Sequence, residues 1–205
     1  MFTLREWRYF FAFLFIFISV IFFLSGSIFC VENKEPFMSM AILDENQRAE
    51  EYYMGDYSDI RLNETVSWSI QLDNEMGYSQ YVSIVIKISV ENTSQLNFTI
   101  CKPSSAQNIY EFRKVLLDKE ILIIPFNWSI ENIKKYDDLL YLSEIVINSN
   151  KIKVDMDFNA SNDIVFIFEL WTFNSNSSEF IFSWMESGKN RCIRNIMPFN
   201  VTFDI

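Results

Sequence analysis

The chain contains no histidine in its 205 residues, which removes serine-type triads, Cys-His dyads and ordinary zinc or copper sites together. Its three cysteines, Cys30, Cys101 and Cys192, show no CxxC spacing and make no thiolate site. Only four glycines and four prolines occur. Glycine-rich phosphate loops are therefore absent, which leaves nucleotide chemistry no foothold, and no Gly/Pro-rich linker divides the chain. Basic residues are also in deficit, 17 Lys plus Arg against 27 Asp plus Glu, for a formal charge of −10. A phosphate backbone demands clustered Lys and Arg, so nucleic acid is not an expected partner.

What is present begins with an apolar run from Tyr9 to Phe29, after a short charged stub, residues 1–8. At 21 residues it matches the roughly 20 needed to cross the hydrocarbon core, and it exceeds the roughly 7 to 15 of a secretory signal's apolar part. Arg5 and Arg8 precede it, while Glu32, Lys34 and Glu35 follow, so the positive-inside bias places the N-terminus in the cytoplasm and residues 31–205 outside. The competing reading is a cleaved signal, because Ser25-Gly26-Ser27 offers small residues at the right place; cleavage would make the domain secreted.

Glycosylation motifs agree with that topology. Asn-x-Ser/Thr occurs at Asn63, Asn92, Asn97, Asn127, Asn159, Asn176 and Asn200, all after the apolar run. With 18 Asn and 28 Ser plus Thr, chance supplies about 2.5 such motifs. In an oxidising compartment Cys101 and Cys192 are the expected disulfide, closing a loop of about 90 residues. Two separate buried thiols are the alternative. Cys30, at the outer membrane edge, is the odd one.

After residue 60 the pattern alternates with period two. Val66, Trp68, Ile70 and Leu72 oppose Ser67, Ser69 and Gln71, and Ile84, Ile86, Ile88 and Val90 repeat the pattern against Ser83, Lys87 and Ser89. Further strands are predicted over 110–117, 121–128, 140–148, 151–157, 164–172, 180–185 and 192–203. Asn74 to Gly77, Asn148 to Asn150, Asn174 to Ser178 and Ser187 to Asn190 read as turns. Residues 129–138 are the one stretch predicted helical after the anchor. The fold class is all-β, an antiparallel, immunoglobulin-like β-sandwich preceded by one transmembrane helix.

Residues Pro36–Leu43, Ala49–Tyr53, Asp59–Trp68 and Leu72–Gly77, with Ile123–Ser129, Ile145–Asn148, Val165–Phe173 and Phe182–Trp184, carry a resemblance. Over roughly residues 36 to 203 the chain resembles the extracytoplasmic portion of archaeal membrane proteins assigned to the domain of unknown function number 1616. The resemblance implies a membrane segment with a β-rich outer domain, and brings no established activity or catalytic residues. This chain has one apolar segment where longer members have several.

Candidate chemistry is thin. Asp155 to Asn159 opens like a calcium loop, but Ala160 replaces the glycine and Phe166 the closing glutamate. The plainer reading is a strand with acidic residues facing solvent that runs into a glycan-bearing turn. Glu131 with Asp137 and Asp138 has the residue types of a glycosidase pair, though a solvated helix face describes them better. No catalytic residue, cofactor or metal site is expected. The chain therefore reads as a non-enzymatic structural or protein-interaction module of the cell envelope, or an accessory subunit of a membrane complex, with an extracytoplasmic binder of carbohydrate or peptide as the alternative. Trp171 and Trp184 exposed in one concavity would favour the binder, and rings buried between sheets the structural module. A flat apolar patch or a free edge strand would mark a protein partner.

Overall fold

The computed structural model describes residues 14–19, 35–50, 52, 59–90, 101–136, 139–159, 163–186 and 188–202. The chain divides into two compact units, Met1–Glu35 and Pro36–Ile205. Of the span expected over 9–29, residues 14–19 are helical and the remainder lies outside the described residues. No helix among the described residues is long and apolar enough to cross a membrane.

The second unit is built from two sheets. The first pairs β1 (Phe37–Leu43), β3 (Val66–Glu75), β6 (Ile121–Tyr136), β7 (Leu139–Ile147) and β8 (Asn150–Asn159) in that order. The second runs β11 (Ser183–Glu186), β12 (Lys189–Thr202), β9 (Ile164–Asn174), β4 (Gln80–Ser89) and β5 (Gln107–Leu116). Two short strands complete it: β10 (Glu179–Ile181) pairs with β9, and β2 (Asp59–Arg61) with β12. The β2–β12 pairing is parallel, a departure from the all-antiparallel expectation. The orders β1-β3-β6 and β12-β9-β4 match the A-B-E and G-F-C orders of an immunoglobulin sandwich, but β7 and β8, which follow β6 in sequence, stand where strand D, which precedes E, would lie.

Alternation explains β3 well: Val66, Trp68, Ile70 and Leu72 turn inward as expected. Between the sheets lies a block of rings. Trp128 stands 4.8 Å from Phe166 and 4.7 Å from Phe199, and Trp68 lies 5.1 Å from Trp128. Burying each ring removes on the order of 150–250 Å² from water, so this block dominates the folding energy of the unit. Asn195 Nδ2 donates to Met40 O at 2.8 Å, tying β12 to β1, and Asn150 Nδ2 donates to the Tyr110 hydroxyl at 3.1 Å, tying β8 to β5. The two sheets are thereby linked along both margins.

Three expectations are corrected. Residues 129–136 are not helical; β6 continues through them, with register shifts between Ile130 and Asn132 and between Asn132 and Ile133 that disrupt the alternation on which the strand reading relied. The strand predicted over 180–185 is broken at Phe182 into β10, on β9, and β11, on β12. Finally, β9 is not half-buried, because Ile164 to Leu170 are all buried on both faces. A strap of chain covers it.

Candidate functional site

That strap is formed by residues 101–106, which cross the outer face of the second sheet. Cys101 and Cys192 are joined in a disulfide with their Cα atoms 5.5 Å apart, fixing the strap to β12. Beneath it Glu169, fully buried, meets Lys87 Nζ at 2.9 Å and Arg194 Nη2 at 2.9 Å. The strap completes the network through its backbone. Ser104 N–H donates to Glu169 Oε1 at 2.6 Å, Lys87 Nζ donates to Ser104 O at 2.6 Å, and Arg194 donates to Lys102 O. A buried carboxylate between two cations needs all of these donors to offset its lost hydration. Lys87 and Glu169 are single charges inside apolar strands, IVIKIS and IFELW, and that was the sequence signal available for them.

Beyond the strap the same face is open. Val115 of β5 is paired opposite Tyr81 of β4, whose ring lies 5.6 Å from Phe173 of β9 and 5.0 Å from Phe180 of β10. Phe173 and Phe180 are register partners, 5.4 Å apart. The row crosses four strands, with Val115 61%, Tyr81 38% and Phe173 37% exposed. Alongside it a concavity of about 490 Å³ is lined by Ser83, Glu111, Arg113 and Trp171, among others. Arg113 Nε donates to Glu111 Oε1 at 2.6 Å, Ser83 Oγ donates to the same oxygen at 2.6 Å, and the guanidinium lies 5.1 Å over Phe180. The Arg113 hydrogen bond, helped by Ser83 and opposed by partial burial, holds the Glu111 carboxyl below the usual carboxylate range.

Trp171 and Trp184, whose sharing of one concavity would have favoured the binder, lie in different hollows. Trp171 lines the hollow just described, with Lys87 Nζ 5.9 Å from its ring and Phe182 at 5.8 Å, whereas Trp184 lines a separate cleft at the mouth of the sandwich. Trp68 and Trp128 are buried between the sheets.

The glycosylation candidates are distributed as follows. Asn127 is exposed on the outer face of β6, and Asn159 is exposed as the last residue of β8. Asn63 has φ of 64° in the turn after β2, where its N–H donates to Ile130 O at 2.9 Å. Asn176 is exposed in the β9–β10 turn, and Asn200 is half-buried on β12 opposite Asp59. Asn92, Asn97 and Cys30 lie outside the described residues, as do Asp137 and Asp138. Glu131, on β6, accepts from Ser129 Oγ at 3.1 Å. Asp155 and Asp157 face solvent on β8, and the Tyr141 hydroxyl donates to Asp155 at 2.7 Å, lowering that carboxyl's pKa.

No protein-family model and no curated protein matches the chain. Among solved structures it is similar to the CARDB domain of a Pyrococcus furiosus protein, solved in complex with di-metal ions, with 9% identity and a TM-score of 0.38 over 82% of this chain and 90% of that one.

Proposed function

We propose that the unit from Pro36 onward is a non-enzymatic, extracytoplasmic module that holds or contacts another protein of the cell envelope, with residues 9–29 as its membrane anchor. The exposed row Val115–Tyr81–Phe173–Phe180 carries this reading. A largely aromatic strip rimmed by an Arg–Glu pair has the composition of a protein contact surface, in which aromatic residues and Arg are enriched. The free edge of β5 beside it supplies unpaired backbone groups for the same partner, since β5 pairs only with β4 among the described residues. The disulfide and the glycosylation motifs support the extracytoplasmic placement.

The test is purification of the full chain from its native membranes, with and without the double change Tyr81→Glu and Val115→Glu. A stoichiometric companion is expected with the wild type and lost with the double variant, while Ile123→Glu, on the other sheet, retains it. Absence of any companion, or a companion indifferent to Tyr81 and Val115, overturns the reading. The alternative, a binder of carbohydrate or peptide, draws on the cleft at Trp184.

A further inference from the structure

At the end of the sandwich where β1 begins, the gap between the sheets opens into a cleft of about 590 Å³. That volume falls within the roughly 300–1,000 Å³ of small-molecule sites. Its walls come from the start of β1, the β3–β4 turn, the end of β9 with its hairpin turn, and β11. None of the described residues lining it is charged. In a chain with 21% charged residues, fourteen lining positions near the surface would carry about three charges by chance. Instead the cleft offers the amides of Gln80, Asn174 and Asn190 and the rings of Tyr78, Phe173 and Trp184.

This pairing of side chains selects a neutral ligand that is polar at its edges and apolar on its faces. A charged ligand would lose hydration here without meeting a counter-charge. Sugar hydroxyls, in contrast, both donate to and accept from amides, and the C–H face of a sugar ring packs on an aromatic ring. The Trp184 side chain lines the cleft and supplies an apolar ring face for such packing.

The sequence supplies an attachment motif for a sugar at the lip. Asn176, itself a lining residue, heads the motif Asn176-Ser177-Ser178 in the exposed β9–β10 turn. Its N–H donates to Asn174 Oδ1 at 2.9 Å, which fixes the turn on which the attached chain would start. A ligand tethered there needs no binding from solution, because attachment alone gives it an effective concentration in the millimolar range, of order 1 mM or more. We propose that the carbohydrate attached to Asn176 folds back into this cleft, its first rings against Trp184 and Tyr78, so that the glycan becomes a built-in part of the mouth of the sandwich. The proposal goes beyond the protein-contact reading and rests only on the extracytoplasmic placement, which glycosylation requires.

The experiment is hydroxyl-radical footprinting with peptide mass spectrometry on the full chain from native membranes. It compares the wild type with Asn176→Gln and with Asn127→Gln, which removes a glycan site from the outer face of the first sheet. Met185, 70% exposed without the carbohydrate, and Tyr78 report on the cleft. Expected are a sugar on Asn176, a several-fold rise in labelling at Met185 and Tyr78 in Asn176→Gln, and wild-type labelling in Asn127→Gln. Ser178→Gly removes the motif while keeping the Asn176 side chain and suits the φ of 56° at that position; it should give the same rise. Should Asn176→Gln also expose the buried Trp128, it has unfolded and Ser178→Gly decides. An unoccupied Asn176, or equal labelling of wild type and Ser178→Gly, overturns the proposal, while occupied glycans elsewhere would leave the extracytoplasmic placement standing.

Discussion

Glu169 and Lys87 lie 2.9 Å apart with side-chain exposures of 0% and 5%, under a strap whose backbone bonds both. Removing one member of such a network leaves charge buried without compensation. Glu169→Gln, which strands both Lys87 and Arg194, is expected to cost about 3–5 kcal/mol in urea unfolding. Replacing Glu169, Lys87 and Arg194 together with apolar residues should recover a large part of that loss, which a simple packing defect would not show.

The disulfide acts on the same strap from its end. Cys101 and Cys192 are 91 residues apart in sequence, so the crosslink restricts the unfolded chain over a long loop. Cys101→Ser with Cys192→Ser is expected to lower unfolding free energy by about 4–5 kcal/mol. Reductant should lower the wild type's stability and leave the double variant unchanged.

These two features show where the sequence was readable. The inward alternation of Val66 to Leu72 and the Cys101–Cys192 pairing could be read locally or by compartment. The burial of β9 on both faces could not, because it depends on residues 101–106 returning across a sheet whose strands come from distant parts of the chain. The helix expected over 129–138, which the described residues 129–136 replace with strand, arose from the register shifts near Asn132, where a strand loses its period of two. The exposed row has a similar origin. Tyr81, Phe173 and Phe180 each read as an ordinary strand aromatic, and only the registry of β4, β9 and β10 assembles them.

Asn74 is a buried polar residue with a structural task at the cleft end. Its Nδ2 lies within hydrogen-bond distance of Tyr78 O at 2.9 Å, Leu117 O at 2.9 Å and Leu116 O at 3.2 Å, joining the β3–β4 turn to the β5–β6 connection. Asn74→Ala is expected to cost upward of about 2 kcal/mol, since buried carbonyls lose their donor. Asn74→Asp should be worse at neutral pH, because a carboxylate would face three carbonyl oxygens. Such a group has a raised folded-state pKa, so the Asp variant, unlike the Ala variant, should gain stability as pH falls. Urea titrations of both variants at two pH values separate the cases.

The β7–β8 hairpin turns through Asn148 and Ser149 at φ of 48° and 67°. Both fall in the left-handed region favoured by two-residue hairpins. Asn148 is retained there by its side chain, which donates to Pro125 O at 2.9 Å and accepts from Asn127 N–H at 2.8 Å. Ser149 has no such reason. The left-handed region costs a side-chain-bearing residue about 1–2 kcal/mol, and glycine's extra unfolded-state freedom costs about 0.5–1 kcal/mol. Ser149→Gly should therefore stabilise the domain by about 0.5–1 kcal/mol, read as a higher urea midpoint at unchanged slope.

Glu111 gives the exposed row a dependence on pH. The Arg113 hydrogen bond and the Ser83 hydroxyl favour its ionised form, so its carboxyl should titrate below the usual value of about 4.3. Because the folded-state pKa is the depressed one, the stabilisation is complete above the unfolded value and disappears as pH falls through the folded one. The effect is modest, for Glu111 is 39% and Arg113 55% exposed in their side chains, and salt should weaken it further. Carbon-13 titration of the Glu111 carboxyl tests this directly. Arg113→Ala should move the midpoint up toward the ordinary glutamate value and remove the cation from the face of Phe180. A Glu111 midpoint unchanged by Arg113→Ala would mean that the pair does not hold together in solution, and the contact surface would then have lost its charged rim.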